Sequence, residues 1–210
     1  MFSIVQIHKP EERNNIVIYD DIPMVICETI KSNESKLVVE EEKDNVIFAK
    51  IYYKEFRFDE CRNIAKSLAK TEYIFSLDAD EGIYNTKEEI EKHLKSNYDA
   101  YTVHVASLSP TSEYSIKECT RIFKKELSWW GYAHERPIKS FENDKVEDVK
   151  ELCRTDILIK HIGYTDNNIN KQKATRNVDL ILKSGYAIFD KYQRIKLNSN
   201  LDYELNGEKK

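Results

Sequence analysis

An α/β domain built on a largely parallel sheet is what this sequence predicts, on three observations. Apolar, β-prone runs of strand length recur along the chain, at residues 2–7, 46–53, 73–77, 100–107 and 156–164. Stretches with helical spacing, 59–69 and 87–96, alternate with them. The run at 73–77 then breaks into Asp78, Asp80 and Glu81, an acidic group at a strand's carboxyl end, where ligands bind in open α/β sheets.

Composition narrows the class. The 210 residues are 40% hydrophobic and 33% charged, enough apolar material for one real core. A formal net charge of −4 argues against a broad nucleic-acid-binding face. No apolar run approaches the ~18 residues that span a bilayer, and the first residues lack a signal-peptide core. The expectation is a cytoplasmic protein without a transmembrane segment. Cys27, Cys61, Cys119 and Cys153 are scattered, without a CxxC or a histidine at zinc-ligand spacing, and read as reduced thiols. One domain over residues 1–190 is expected, followed by a polar tail, 191–210.

Taken in order, residues 2–7 form a first strand closed by His8, Lys9 and Pro10. A second strand is expected at 16–19, ending at Asp20 and Asp21, and Pro23 suits the first turn of a short helix toward Ser32. Strands follow at 37–39 and 46–53, with Glu40, Glu41 and Glu42 as a solvated loop between them. The helix at 59–69 places Ile64, Ala65 and Leu68 on one face and Arg62 near its start. After the acidic strand, Thr86 caps a second helix, with Glu89 at the capping-box position. Residues 100–107 and 119–123 are further strands. Lys171 to Ser184 reads as a basic amphipathic helix, with Val178, Ile181 and Leu182 inward and Gly185 as its C-cap.

Three segments carry chemistry. Asp78 and Asp80 are two apart, so in extended backbone both leave one side of the strand, and a divalent cation shared with phosphates relieves their repulsion. The competing reading is a solvated acidic turn. In the run from Trp129 to Pro137, Trp130 and Tyr132 offer flat faces for sugars and Glu135 is a candidate base. The same residues also read as core tryptophans with Glu135 paired to Arg136. His161, at a strand end, is the nitrogen candidate for a cation at Asp80, or else a structural histidine. Lys171, Lys173 and Arg176 either screen a diphosphate or form a wet helix face.

Arg62-Asn63, the run Ile74 to Glu81, Arg121-Ile122-Phe123, Trp130 to Glu135 and His161-Ile162-Gly163-Tyr164 occur in this order. The series resembles the motifs of family 2 glycosyltransferases, inverting enzymes of the GT-A fold. It is most similar to the branch with lipopolysaccharide-core glucosyltransferases and bacteriocin S-glycosyltransferases. The resemblance covers residues 45–185 and implies a GT-A (Rossmann-like) sheet flanked by helices, with a C-terminal amphipathic helix. It further implies that Arg62, Asp78, Asp80, Lys171 and Arg176 bind the donor, Asp78 on the ribose or base side. Asp80 and His161 would bind Mn²⁺ or Mg²⁺, Glu135 would be the catalytic base, and Trp130 and Tyr132 would line the acceptor side. The N-terminus departs from the pattern: no Asp-x-Gly-Ser follows a strand, and Asp20 or Asp21 is left as a substitute nucleotide-binding carboxylate.

The chemistry implied is transfer of a sugar from a nucleotide-diphosphate donor, a UDP-sugar by expectation, to an acceptor hydroxyl or thiol. A cation offsets charge growing on the diphosphate while a separate carboxylate takes the acceptor's proton. The acceptor is open among a saccharide, a lipid-linked glycan, a peptide and a modified nucleic-acid base. Two alternatives stand beside it: a nucleotidyltransferase using the same carboxylates, and a non-catalytic sugar-nucleotide-binding module. With five glycines and no Gly-rich phosphate loop, the nucleotidyltransferase ranks second.

Overall fold

The computed structural model describes residues 1–108, 114–131, 135–142, 145–161 and 167–184. Tyr132, Gly163, the C-cap at Gly185 and the polar tail 191–210 lie outside the described residues. The elements run β1 (Phe2–His8), a 3-10 helix (Pro10–Asn15), β2 (Met24–Lys31), β3 (Lys36–Lys43), β4 (Val46–Tyr53), α1 (Phe58–Ser67), β5 (Tyr73–Asp78), β6 (Glu81–Ile83) and α2 (Lys87–Leu94). They continue with β7 (Ala100–Leu108), β8 (Tyr114–Lys124), β9 (Ser128–Trp130), β10 (Arg136–Glu142), β11 (Lys145–Asp148), β12 (Leu152–His161) and α3 (Asn167–Ser184).

Among the described residues the main sheet has the order β3-β4-β2-β1-β5-β8-β7-β12-β6, and β9, β10 and β11 form a small antiparallel sheet beside it. The fold is α/β, a large central sheet flanked by helices, as the sequence predicts. Its parallel part is β4, β2, β1 and β5, with β12 and β7 also parallel, while β3, β8 and β6 join antiparallel. The chain steps outward from β1 through β2 to β4, then crosses back to lay β5 on the other side of β1. That reversal makes a topological switch point at the carboxyl ends of β1 and β5, the position where open α/β sheets bind ligands in a crevice.

Burial on both faces explains the continuous apolar strands. One face packs Phe2, Ile4, Ile26, Phe75 and Leu77 under Ile90 and Leu94 of α2. The other packs Val5, Val25, Ala49, Ile74 and Phe123 against Cys61 and Ala65 of α1, with Trp129 closing the layer. Each fully buried large side chain contributes roughly 1.5–3 kcal/mol. The acid-rich first turn of α1, Asp59 and Glu60, suits the positive end of its dipole. Thr86 and Glu89 form the expected capping box of α2, the Glu89 amide donating to Thr86 Oγ1 at 3.3 Å.

Several expectations give way. Residues 16–19 are not a strand, and the expected helix after Pro23 is the buried strand β2. Its run Met24-Val25-Ile26-Cys27 is apolar on both faces, a parallel-strand pattern, and Pro23 stands just outside it, where a missing N–H costs no ladder bond. Asp20 and Asp21 therefore lie before β2, at the amino ends of the parallel strands, opposite the crevice. The acid run is not a loop but part of the exposed edge strand β3, with Glu40 paired to Lys50 and Glu42 to Lys70. In α3 it is Leu180 that joins Val178 and Ile181 in burial, while Leu182 is 59% exposed.

Candidate functional site

The site is built where β5 ends in the crevice. Asp78 is the last residue of β5, and Asp80 lies beyond it in the turn to β6, so the two carboxylates part company instead of sharing one side. Arginines neutralise Asp78. Arg62, from the second turn of α1, donates from Nη2 to Asp78 Oδ1, from Nη1 to Ser76 Oγ at 2.9 Å, and from Nε to Glu135 Oε1. Its guanidinium carbon sits 5.4 Å from the Trp129 ring centre. Arg121 donates to Asp78 Oδ2 at 3.2 Å and to Glu81 Oε1 at 2.6 Å.

These contacts set the charges. Burial pushes the Asp78 carboxyl up, but Arg62 and Arg121 outweigh it and hold the group well below the usual carboxylate range. Burial raises Glu81, with Arg121 opposing. Burial also disfavours the charged Arg62, yet Asp78 and Glu135 more than offset it and leave its pKa raised. Arg62 is 5% exposed with its nitrogens committed inside the protein, so it organises the crevice carboxylates from within.

Sequence reasoning assigned Arg121 no role at the site. Tyr101 of β7 pairs with Ile122 while Thr102 pairs with Thr120, so Arg121 is the extra residue of a bulge in β8, and bulges re-aim side chains beside functional sites. Its signal lay in the Arg-Ile-Phe triplet, but nothing local marks a bulge.

His161, the last residue of β12, reaches Asp80: Nε2 is 3.2 Å from Asp80 Oδ2, and Nδ1 is 3.2 Å from Ser107 Oγ. The ring is buried and the carboxylate half-buried. A carboxylate oxygen beside an imidazole nitrogen is a donor pair that suits Mn²⁺, and a cation at Nε2 requires the ring proton on Nδ1, where Ser107 Oγ can accept it. Among the described residues there is no group of three or more His, Cys, Asp or Glu able to hold a metal. Two protein donors leave positions for phosphate oxygens and water, the usual arrangement for a cation that binds with its substrate. The residues fit the group.

Glu135 pairs with Arg62 and not with Arg136, whose guanidinium pairs with Asp148 and lies over the Trp130 ring. Oε2 of Glu135 has no hydrogen-bond partner among the described residues. Trp130, expected on the acceptor side, is 4% exposed and packs on Phe141 beneath Arg136, so it offers no open face for stacking. Its neighbour Trp129 is core as well. Arg176 lies over the Phe58 ring at the start of α1 and donates to Asn177, apart from the carboxylate cluster in these contacts. Lys171 belongs to α3, but its side chain is outside the described residues.

No protein-family model matches the chain, and no curated protein matches it. Among solved structures, residues 1–349 of S. aureus TarS align with 98% of this chain and 71% of that one, at 8% identity and a TM-score of 0.40. The longer S. aureus TarS structure gives 9% identity and a TM-score of 0.46, over 98% of this chain and 43% of that one. The 1–349 piece in complex with UDP-GlcNAc gives 10% identity and 0.41, over 98% and 72%. At such TM-scores the overlaps are loose. No described helix is long and apolar enough to cross a membrane.

Proposed function

We propose that the chain is a metal-dependent, inverting glycosyltransferase that moves a sugar from a nucleotide-diphosphate donor to an acceptor hydroxyl or thiol. One observation supports it above the others: Asp78, the Asp80–His161 pair and Glu135, from separate segments, converge on the carboxyl end of β5, with Arg62 touching both Asp78 and Glu135. Asp80 and His161 would hold Mn²⁺ or Mg²⁺, which when bound offsets the charge that gathers on the departing diphosphate. Asp78, fixed by two arginines, is left as a rigid acceptor toward the donor's ribose or base. Glu135 takes the acceptor's proton as its oxygen or sulfur attacks the anomeric carbon from the face opposite the diphosphate. Lys171 and Arg176 of α3 remain proposed as diphosphate-screening cations.

The test is calorimetric titration with UDP and UDP-GlcNAc, the two ligands of the TarS complexes, with and without Mn²⁺, while nucleoside diphosphate release is followed. The reading requires donor binding that Mn²⁺ strengthens, and release of the diphosphate. Binding without release would support the non-catalytic module, and pyrophosphate release from a nucleoside triphosphate would support nucleotidyl transfer. Asp80→Ala is expected to abolish the Mn²⁺ effect on donor affinity with the melting temperature unchanged, and His161→Ala to weaken it less. Equal Mn²⁺-dependent affinity in wild type and Asp80→Ala would remove the assigned cation site.

A further inference from the structure

We infer that Asn63 is a positioning residue for Glu135, and that the polar face of α1 sets the register of the segment carrying it. This rests on the transfer reading above for its rate consequence, and on geometry alone for its structural one.

Residues Asp59, Asn63 and Lys66 recur at helical spacing on α1, with Arg62 beside them, and all four reach the same stretch of chain. Lys66 Nζ donates to the carbonyls of Lys125 and Leu127. The Asn63 amide bonds the next position twice: Nδ2 donates to Trp129 O at 2.8 Å, and the Trp129 amide donates to Asn63 Oδ1 at 2.9 Å. The Gly131 amide then donates to Asp59 Oδ2 at 3.1 Å. Finally Arg62 holds the Glu135 carboxylate. The contacts at 125 and 127 fall in the turn between β8 and β9 and those at 129 and 131 follow along β9 and just past it, met by side chains that descend α1 from 66 to 59.

Side chains of α1 thus take the edge of β9 that β10 leaves unpaired. Asn63 does there what a neighbouring strand's backbone does, donating and accepting at one residue. Trp129 stands opposite Pro137 in the β9–β10 register, and its amide and carbonyl both turn to Asn63, away from β10. Gly131 follows with φ of 112°, a left-handed conformation that glycine tolerates, and its amide is fixed by Asp59. Arg136 pairs with Trp130 across the β9–β10 ladder and Glu135 stands just before it, so a slip at Trp129 displaces the carboxylate from Arg62. Neither Asn63 nor Asp59 needs to touch a substrate for this.

The experiment is Asn63→Ala, with Asn63→Asp as the isosteric variant should alanine fail to fold, each checked by melting temperature. Donor affinity for UDP-GlcNAc with Mn²⁺ is expected to stay within about twofold, while kcat falls by about 10–100-fold, the cost of a small misplacement of a reacting group. In a Glu135→Gln background the same Asn63 change should cost less than about twofold, because the group it positions is already gone. Equal losses in kcat and donor affinity, or full additivity with Glu135→Gln, would overturn the positioning role. Amide hydrogen exchange separates this from failure of the transfer reading. The Trp129 amide should exchange at least ~10-fold faster in Asn63→Ala, which has lost the accepting oxygen, whether or not the protein transfers sugar. Unchanged protection at Trp129 would sink the inference by itself.

Discussion

Arg62→Met is expected to destabilise the protein by about 3–5 kcal/mol, the usual cost of removing one member of a buried ion pair. The reason is what the substitution leaves behind. Glu135, 9% exposed at its side chain, and the half-buried Asp78 both lose a guanidinium, and Ser76 loses a donor. Methionine fills the space beside Trp129 but satisfies none of them. Arg121 still partners Asp78, so the lower end of the range is the better expectation. Adding Glu135→Gln to Arg62→Met should recover part of the loss, since a neutral amide costs less to bury than an unpaired carboxylate.

The pH dependence has a definite sign. Asp78's folded pKa is depressed by its arginines, so its contribution is fully present above the unfolded carboxyl value, about 3.9. It is lost only as pH falls through the lower folded value. The gap between wild type and Arg62→Met in urea unfolding should therefore be flat from about pH 7 to 5 and narrow only in stronger acid. A loss below about 1 kcal/mol at neutral pH would show that Arg62 is not the hub of the cluster.

Much of the fold was legible because buried strands and capped helices carry local signatures. Phe2 to Ile7 and Tyr73 to Leu77 are apolar on both faces, and Thr86 with Glu89 announces α2. β2 was hidden by Pro23, which opens a helix or precedes a strand equally well, and only the sheet decides between them. β9 was illegible because three residues have no period of their own, and one of its edges is completed by Asn63 and Asp59 of a distant helix. At the site, strand-end carboxylates and a strand-end histidine could be read as candidates, since topology delivers strand ends to one edge. Arg121 could not, because its aim depends on a bulge between β7 and β8. The burial of Trp130 stood as one of two readings of the sequence, and what decides it is Phe141 and Arg136 folding back across it.

Glu135→Gln is expected to slow sugar transfer by about 10²–10⁴-fold while leaving donor affinity and Mn²⁺ dependence near wild type. The glutamine oxygen can still accept from Arg62 Nε, so the segment keeps its place, whereas the basic carboxylate is gone. What disappears is the group that receives the acceptor's proton as the bond to the anomeric carbon forms. Separation from Asp80 and His161 matters to this assignment: Glu135 is tied to the cluster through Arg62 and Asp78, not through the cation pair. A base on the acceptor side should not share the charge that holds the leaving diphosphate. Single-turnover rates measured with donor and Mn²⁺ saturating would make the distinction, with Glu135→Gln slowed by the stated factor and its donor affinity unchanged. If the variant instead turns over at nearly the wild-type rate but melts earlier, Glu135 serves Arg62 as a structural counterion and another carboxylate must be the base.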